Sequence, residues 1–242
     1  MSRFAIISDI HANKEALETV LRDIEFMQCS QIVCLGDVVG YNASPVECLE
    51  TIKSLNCPIV RGNHDEEAAS DSKPDKMNPI AYSALMWTRQ QLSPEQKEWL
   101  SKLRLVRSVP PFTIVHSTLD QPSLWHYIIN NYDAASNFNF QFSTICFHGH
   151  THVPKIFSNE NGGATEYAPS DFCPQPGVKY FVNVGSVGQP RNGDPRACYC
   201  VFDTDQNAIY FRRLEYDIQL TCKRIVDAGL PVALAERLTQ GL

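Results

Sequence analysis

The sequence contains no uninterrupted apolar stretch of the roughly 20 residues that span a membrane. The chain enters a predicted strand at Arg3 and reaches Asp9 and His11 directly after it, so it also lacks the apolar region of a signal peptide. Runs of basic residues are missing too, and the formal net charge is −6. We therefore expect a cytoplasmic protein with no membrane partner and no stable nucleic-acid partner.

Cysteine pairs with the C-x-x-C spacing of thiolate metal sites and redox motifs are absent, although the sequence has nine cysteines. Their number is odd, and Cys34, Cys48, Cys146 and Cys222 fall inside predicted strands and helices, so we expect reduced thiols in the core. Internal repeats and low-complexity segments are absent as well. With 242 residues, 43% of them hydrophobic, the chain is long enough for one large α/β domain, and we predict a single domain over residues 1–242.

The most informative stretch is a short apolar run that ends at Gly36-Asp37. Such a run predicts a buried parallel strand, and open α/β sheets bind their ligands at the carboxyl ends of such strands. Asp37 would stand at that end, where its carboxylate can bridge two metal ions.

Other acidic, amide and imidazole side chains follow further strand-like runs in the same way. They occur in Ser8-Asp9-Ile10-His11, Gly62-Asn63-His64-Asp65, His116 and Gly149-His150-Thr151-His152. Their oxygen and imidazole nitrogen atoms suit manganese, iron, zinc or nickel. Two such ions about 3.5–4 Å apart are the usual clamp for in-line attack on phosphorus. One such motif alone is weak evidence, but five in order, each at a strand end, are specific.

The N-terminal part of the chain predicts repeated βα units. The predicted elements are strands at 3–8, 32–37 and 58–60 and helices at 13–27 and 44–55. Because β-crossover-β connections place successive parallel strands side by side, we expect Asp9, Asp37 and Asn63 along the same edge of one sheet.

The remaining chain predicts further helices and a second sheet. Helices are predicted at 80–91, 93–103, 217–228 and 231–240, and strands at 107–109, 112–115, 144–147, 155–157, 180–183, 197–203 and 208–214. The last three of these strands are interpreted as antiparallel neighbours in the second sheet, and residues 66–78 as a polar, turn-rich segment. The predicted fold class is therefore α/β, a two-sheet β-sandwich flanked by helices.

Residues 117–142 have no clean hydrophobic period and include Trp125, His126, Tyr127 and Tyr132. Two interpretations stay open: an ordinary packed helix and loop, or a rim or lid over the metal site. His126 and His148 are interpreted as structural residues.

The five motifs resemble the calcineurin-like metallophosphoesterase family, whose pattern is D-x-H, G-D, G-N-H-D/E, H and G-H-x-H. The resemblance covers residues 5 to about 196 and implies the four-layer αββα fold of that family. Residues 36–41 and 183–191 are more similar to its small bacterial phosphodiesterase branch. The implied metal ligands form two groups that share Asp37: Asp9, His11 and His152 with Asp37, and Asn63, His116 and His150 with Asp37.

The resemblance implies a phosphoric ester hydrolase with two divalent metal ions, manganese first, with iron, zinc, nickel or magnesium as alternatives. A hydroxide that bridges the ions would attack phosphorus, with Asp37 as the bridging and catalytic carboxylate. Asn63 and His64 are expected to contact the phosphate, and His64 to protonate the leaving oxygen.

Two positions depart from the protein-phosphatase branch, in which the G-D motif continues to a second aspartate and an arginine. Here these positions hold Gly40 and Tyr41. The carboxylate that would orient His64 and the arginine clamp on phosphate are therefore missing there, which disfavours a protein phosphatase and a symmetrical diadenosine-tetraphosphate hydrolase. Arg191, after a glycine-rich run, is the candidate replacement for the clamp, and the alternative is a surface arginine in a turn.

The leading hypothesis is a dinuclear phosphoesterase that acts on phosphodiesters or small phosphomonoesters, so that its partner is a small phosphorylated substrate. A nucleotide or dinucleoside-polyphosphate hydrolase is the second hypothesis. A third is a metal-binding scaffold protein without activity, and the intact ligands at every motif argue against it.

Overall fold

A computed structural model describes residues 2–72, 77–160 and 162–242. The strands are β1 (Arg3–Ile7), β2 (Gln31–Cys34), β3 (Val106–Val109), β4 (Phe112–Val115), β5 (Ile145–His148), β6 (Lys155–Glu160), β7 (Gly163–Tyr167), β8 (Lys179–Asn183), β9 (Ala197–Asp203) and β10 (Ala208–Leu214). The α-helices are α1 (Lys14–Phe26), α2 (Pro45–Ser54), α3 (Asn63–Ala69), α4 (Pro79–Gln91), α5 (Pro94–Ser101), α6 (Asn131–Phe138), α7 (Ile218–Asp227) and α8 (Val232–Gln240). Within these described ranges, no helix combines the length and the apolar character that a membrane span requires.

The strands form two mixed sheets. The first has four strands in the order β10-β9-β1-β2, and the second has six in the order β3-β4-β5-β8-β6-β7. Strands β1 and β2 are parallel, and so are β4, β5 and β8, whereas the other neighbours are antiparallel. Helices flank both sheets, which confirms the predicted fold class.

Strand β1 shows how the layers arise from the sequence. Phe4 and Ile6 point between the sheets, where the Phe4 ring meets the edge of Phe112 from the second sheet at a centroid distance of 5.1 Å. Ala5 and Ile7 point to the other face and pack with apolar residues of the helices. Because side chains alternate along a strand, an apolar run without polar interruptions fits a strand that is covered on both faces.

The assignment of residues 180–183, 197–203 and 208–214 to one sheet was wrong. Strand β8 lies in the second sheet between β5 and β6, whereas β9 pairs with β1 in the first sheet and β10 follows at its edge. Strands β8 and β9 are short apolar runs with buried side chains on both faces, so the pattern predicts each strand but not its partner. The partner is decided by which open sheet edge the chain reaches after residues 184–196.

The segment around residues 58–78 also differs from the prediction. Residues 58–60 make one parallel bridge, between Cys34 and Ile59, in place of a regular strand. The polar segment predicted from residue 66 begins inside helix α3, and its residues 73–76 lie outside the described part of the chain. Helix α3 begins where it does because the Asp65 carboxylate accepts the backbone N–H of Gly62 at 3.1 Å, as in a capping box.

Candidate metal centre

The strand ends of both sheets meet at one site. Each predicted ligand follows a strand or begins α3: Asp9 and His11 after β1, Asp37 after β2, Asn63 at the start of α3, His116 after β4, and His150 and His152 after β5. The two sheets are joined there by a hydrogen bond from the backbone N–H of His150 to Asp9 Oδ2 at 3.1 Å. The structure therefore brings together side chains that are separated by up to 143 positions in the sequence, as 152 minus 9 gives.

The acidic and imidazole donor atoms form two groups. In each group they lie within 4.8 Å of one another: Asp9, His11, Asp37 and His152 in the first, and Asp37, His116 and His150 in the second. Asp37 belongs to both groups, since its Oδ2 lies 3.6 Å from His11 Nε2 and 3.3 Å from His116 Nε2. This is the position that a bridging carboxylate requires.

Asn63 stands in the chain between Gly62 and His64, and both of these residues lie against the Asp37 carboxylate. The backbone N–H of His64 donates to Asp37 Oδ1 at 2.8 Å, and a Cβ on Gly62 would overlap the same oxygen. Within the described ranges, Asn63 Oδ1 and His116 Nε2 are buried without a hydrogen-bond partner. Buried polar atoms normally have partners, so a cation at these atoms would complete the site.

Each histidine of the two groups is anchored by a backbone carbonyl. The contacts are His11 Nδ1 to Val39 O at 3.1 Å, His116 Nδ1 to Leu35 O at 2.8 Å, His152 Nδ1 to Gln189 O at 2.6 Å and His150 Nε2 to Trp125 O at 2.9 Å. Since a carbonyl can only accept, the anchored nitrogen carries a proton, and the other nitrogen of each ring is the one that can bind a metal ion. His11 Nε2 and His152 Nε2 are 3.0 Å apart, and a cation bound by both nitrogens would stabilise this close approach.

The charge states of the site also suit a cation. Burial by itself would raise the pKa of Asp9 and Asp37, but the neighbouring His152 and His116 outweigh it and lower both pKa values. Burial lowers the pKa of His150 to about 3. For His116 burial also acts downward, but the charge of Asp37 raises its pKa to about 9, so a metal ion at Asp37 competes with that proton. The oxygen and nitrogen donors fit divalent metal ions.

Most ligands have a strained backbone. Five of them have a left-handed φ although none is glycine: Asp9 at 53°, His11 at 48°, Asp37 at 52°, His150 at 66° and His152 at 61°. Such a conformation costs about 1–3 kcal/mol for each residue and persists only where the surrounding fold imposes it. Gly149 permits one of the close approaches, because a Cβ there would overlap Ser8 Oγ and Asp9 Oδ2. The ligand geometry is therefore built into the fold.

Asp65 holds the loop that carries Asp37. Its carboxylate accepts the backbone N–H groups of Asp37 at 2.8 Å, Val38 at 2.9 Å and Val39 at 3.3 Å, in addition to that of Gly62. The sequence analysis gave Asp65 no role. Its spacing of three residues from Gly62 is that of a capping box, which is the signal that predicts such a contact.

Replacing Asp65 by alanine is expected to lower the free energy of unfolding by about 2–4 kcal/mol, because four buried N–H groups lose their acceptor. Urea denaturation of the metal-free protein measures this loss. Asp71→Ala, at an exposed position, is the matched control and should change the free energy by less than about 0.5 kcal/mol. Equal stability of the two variants would contradict the role of Asp65.

His64 lies beside the donor groups and belongs to neither. Its ring centroid is 4.9 Å from that of His11 and 4.4 Å from that of Tyr41, and the ring nitrogens make no hydrogen bond to another described side chain. A Cβ on Gly40 would lie 2.8 Å from His64 Nδ1, so the glycine gives the imidazole its space. Burial lowers the pKa of His64 to about 4, although the charge of Asp37 acts in the opposite direction.

Arg191 is half-buried beside His64 and His152. Its guanidinium donates to Gln189 Oε1 at 2.8 Å and lies 5.6 Å from the centroid of the Tyr41 ring. Burial lowers the pKa of His152, and the charge of Arg191 lowers it further. The structure thus places this predicted substrate-binding residue next to the ligands, with no carboxylate partner in the described part of the chain.

The segment 117–142 divides into two parts with different surroundings. Residues 131–138 form α6, which packs on the outer face of the second sheet through Phe138 and Phe181. Residues 122–129 lie against the ligands, where the Tyr127 ring stacks on His150 at 4.2 Å. The sequence analysis gave Trp125 and Tyr127 no specific role, and their only signal was aromatic content in a polar segment. His148 is buried against Phe181, and His126 is exposed.

Comparisons with known proteins find relatives that cover almost the whole chain. An uncharacterized protein of Methanocaldococcus jannaschii is 37% identical over 99% of this chain and 98% of its own length. The crystal structure of a metallophosphoesterase from Sphaerobacter thermophilus is 38% identical, covers 100% of this chain and 99% of its own, and superposes with a TM-score of 0.89. A hypothetical protein from Pyrococcus horikoshii OT3, 21% identical over 100% of this chain and 99% of its own, has the same fold with a TM-score of 0.81.

The family model described as the calcineurin-like phosphoesterase superfamily domain matches residues 2–207, which include every residue of the two donor groups. A match of this extent, together with the buried Asp and His cluster, shows the family and its chemistry. The chain therefore belongs to the calcineurin-like phosphoesterase superfamily and is a metal-dependent phosphoric ester hydrolase.

Proposed function

We propose that this enzyme hydrolyses phosphodiesters at a dinuclear metal centre and that small phosphomonoesters are weaker substrates. The observation that carries the proposal is the position of Asp37 in both donor groups, with Oδ2 within 3.6 Å of imidazole nitrogens on either side. One carboxylate shared by two sets of ligands fits two ions better than one.

Seven residues would hold the two ions. They are the two donor groups with Asn63 added to the second: Asp9, His11, Asp37 and His152, and Asp37, Asn63, His116 and His150. Two bound ions would supply a water of lowered pKa for attack on phosphorus and would neutralise charge on the phosphoryl oxygens. Manganese is the proposed metal because imidazole nitrogens mixed with carboxylates favour it over magnesium, with iron, zinc and nickel as alternatives.

The residues beside the donor groups would bind the phosphate and move the proton. At neutral pH the His64 imidazole is uncharged and a poor proton donor, since burial lowers its pKa to about 4. A bound anionic phosphate raises that pKa by stabilising the imidazolium, and the proton then passes from His64 to the leaving oxygen. The Asn63 amide and the Arg191 guanidinium would orient the phosphate.

The proposed preference for diesters follows from the number of positively charged side chains beside the two donor groups. Tyr41 occupies the place of a phosphate-binding arginine, and among the described residues Arg191 is the guanidinium that lies over the Tyr41 ring and next to His64. A monoester dianion requires more positive charge for its neutralisation than a diester monoanion does. A site with one such arginine therefore suits the diester.

Bis(para-nitrophenyl) phosphate is expected to be hydrolysed with a higher kcat/KM than para-nitrophenyl phosphate, with manganese at least as effective as magnesium. Arg191→Ala should raise KM for the monoester more than for the diester, because the dianion depends more on the lost cation. Steady-state kinetics of both substrates test this. Arg196→Ala, an exposed arginine paired with Asp194, is the control and should leave both KM values unchanged. A monoester preference that survives Arg191→Ala would contradict the proposal.

A further inference from the structure

Residues 122–129 bring two aromatic side chains against metal ligands. The ring of Tyr127 lies nearly parallel to that of His150, with a centroid distance of 4.2 Å and an interplanar angle of 17°. The ring of Trp125 meets His116 at 5.9 Å in an edge-on arrangement, and the Trp125 carbonyl accepts from His150 Nε2. This segment is therefore a wall of the cleft, continuous with the second donor group.

The surface of Tyr127 that His150 leaves uncovered is open to solvent, and so are its apolar neighbours in this segment. Tyr127 keeps 52% of its surface exposed, and the neighbouring Leu124 and Ile129 keep 54% and 59%. His150 covers one face of the Tyr127 ring, so the exposed surface lies on the opposite face and the edge. Large apolar side chains clustered next to a ligand site typically form a binding surface.

The polar end of Tyr127 is also free. Its hydroxyl makes no hydrogen bond to another residue of the described ranges. Gln121 and Trp125, which flank the short helix Pro122–Leu124 in this wall, have left-handed φ values of 49° and 55°.

We infer that Tyr127 contacts the substrate, and that the exposed face of its ring holds the organic substituent of the phosphoester. Substrates with a flat aromatic substituent, such as an aryl group or a nucleoside base, are therefore preferred over those with a small alkyl group. A flat aromatic substituent can stack on Tyr127 while the phosphate of the same substrate lies between the donor groups. Such stacking increases the affinity for the substrate. The inference rests on the proposed function in one respect, namely that the donor groups bind the phosphate.

Binding of phenylphosphonate and methylphosphonate to the manganese-loaded protein tests the inference without turnover, because neither compound is an ester. Isothermal titration of the wild type is expected to show phenylphosphonate bound on the order of 10-fold more tightly, the usual range for one stacked ring. Tyr127→Phe should keep this preference. Tyr127→Ala and Tyr127→Leu should lose it while their affinity for methylphosphonate stays that of the wild type. Tyr132→Ala, at a tyrosine of the same segment that is 87% exposed, is the control and should behave as the wild type.

Three results would overturn the inference. The first is equal affinity of the wild type for the two phosphonates. The second is a preference for phenylphosphonate that persists in Tyr127→Ala and Tyr127→Leu. The third is that both variants lose affinity for the two phosphonates to the same extent, or lose bound manganese. The last result would mean that Tyr127 only supports His150. Failure of the proposed function would be seen separately, as a metal-loaded wild type that binds the phosphonates and does not hydrolyse bis(para-nitrophenyl) phosphate.

Discussion

Asp37→Asn is expected to abolish hydrolysis and to weaken the binding of both metal ions at once. Asp37 is the one residue present in both donor groups, and its Oδ2 lies between His11 Nε2 and His116 Nε2. The amide has nearly the shape of the carboxylate and keeps an acceptor for the backbone N–H of His64, but it removes the negative charge that two cations would share. Metal content by elemental analysis and the rate on bis(para-nitrophenyl) phosphate measure the two effects.

His11→Ala is the matched comparison, since His11 belongs to one donor group only. This variant should lose affinity for one ion and retain more activity than Asp37→Asn. Circular dichroism should show that both variants are folded. If the two variants have equal residual rates and both still bind two ions, Asp37 does not bridge.

His64→Ala is expected to lower turnover by ~10²–10⁴-fold while both ions stay bound. A rate loss of this size is typical when a positioned proton donor is removed. Both ions should stay bound because His64 lies outside both donor groups. The effect should shrink for good leaving groups such as nitrophenolate, which need no proton, and grow for alkyl leaving groups. Rates on a series of diesters with leaving groups of increasing pKa measure this slope.

His126→Ala is the control for this prediction, because His126 is an exposed histidine of the segment 117–142. Its rates should equal those of the wild type. Loss of metal in His64→Ala would contradict the assignment, since it would make His64 a ligand. A rate loss that is the same for every leaving group would show that His64 acts on the phosphate without transferring a proton.

The residues that meet at the site could be predicted because their signal is local. A polar side chain directly after an apolar run, as at Asp9 or Asp37, indicates a strand end, and parallel strands bring such ends together. The distribution of strands between the sheets could not be predicted in this way. Strands β8 and β9 are both buried apolar runs and yet lie in different sheets, because the available sheet edge and not the strand's own pattern selects the partner.

The contacts that hold the ligand side chains in place could not be predicted from the sequence either. The carbonyls of Leu35, Val39, Trp125 and Gln189 anchor the histidines, and every residue type has a carbonyl, so no side-chain pattern marks them. The left-handed backbone of His150 has no local signal either, since such a residue is held by contacts distant in sequence. These features depend on tertiary structure.

Manganese titration of metal-free protein, with bound ions per chain and hydrolysis of bis(para-nitrophenyl) phosphate followed together, tests the central claim most directly. The shared carboxylate predicts two ions per chain, no activity before manganese is added, and full activity when both sites are filled. Full activity in the presence of a chelator, or maximal activity with a single bound ion, would contradict a dinuclear phosphoesterase.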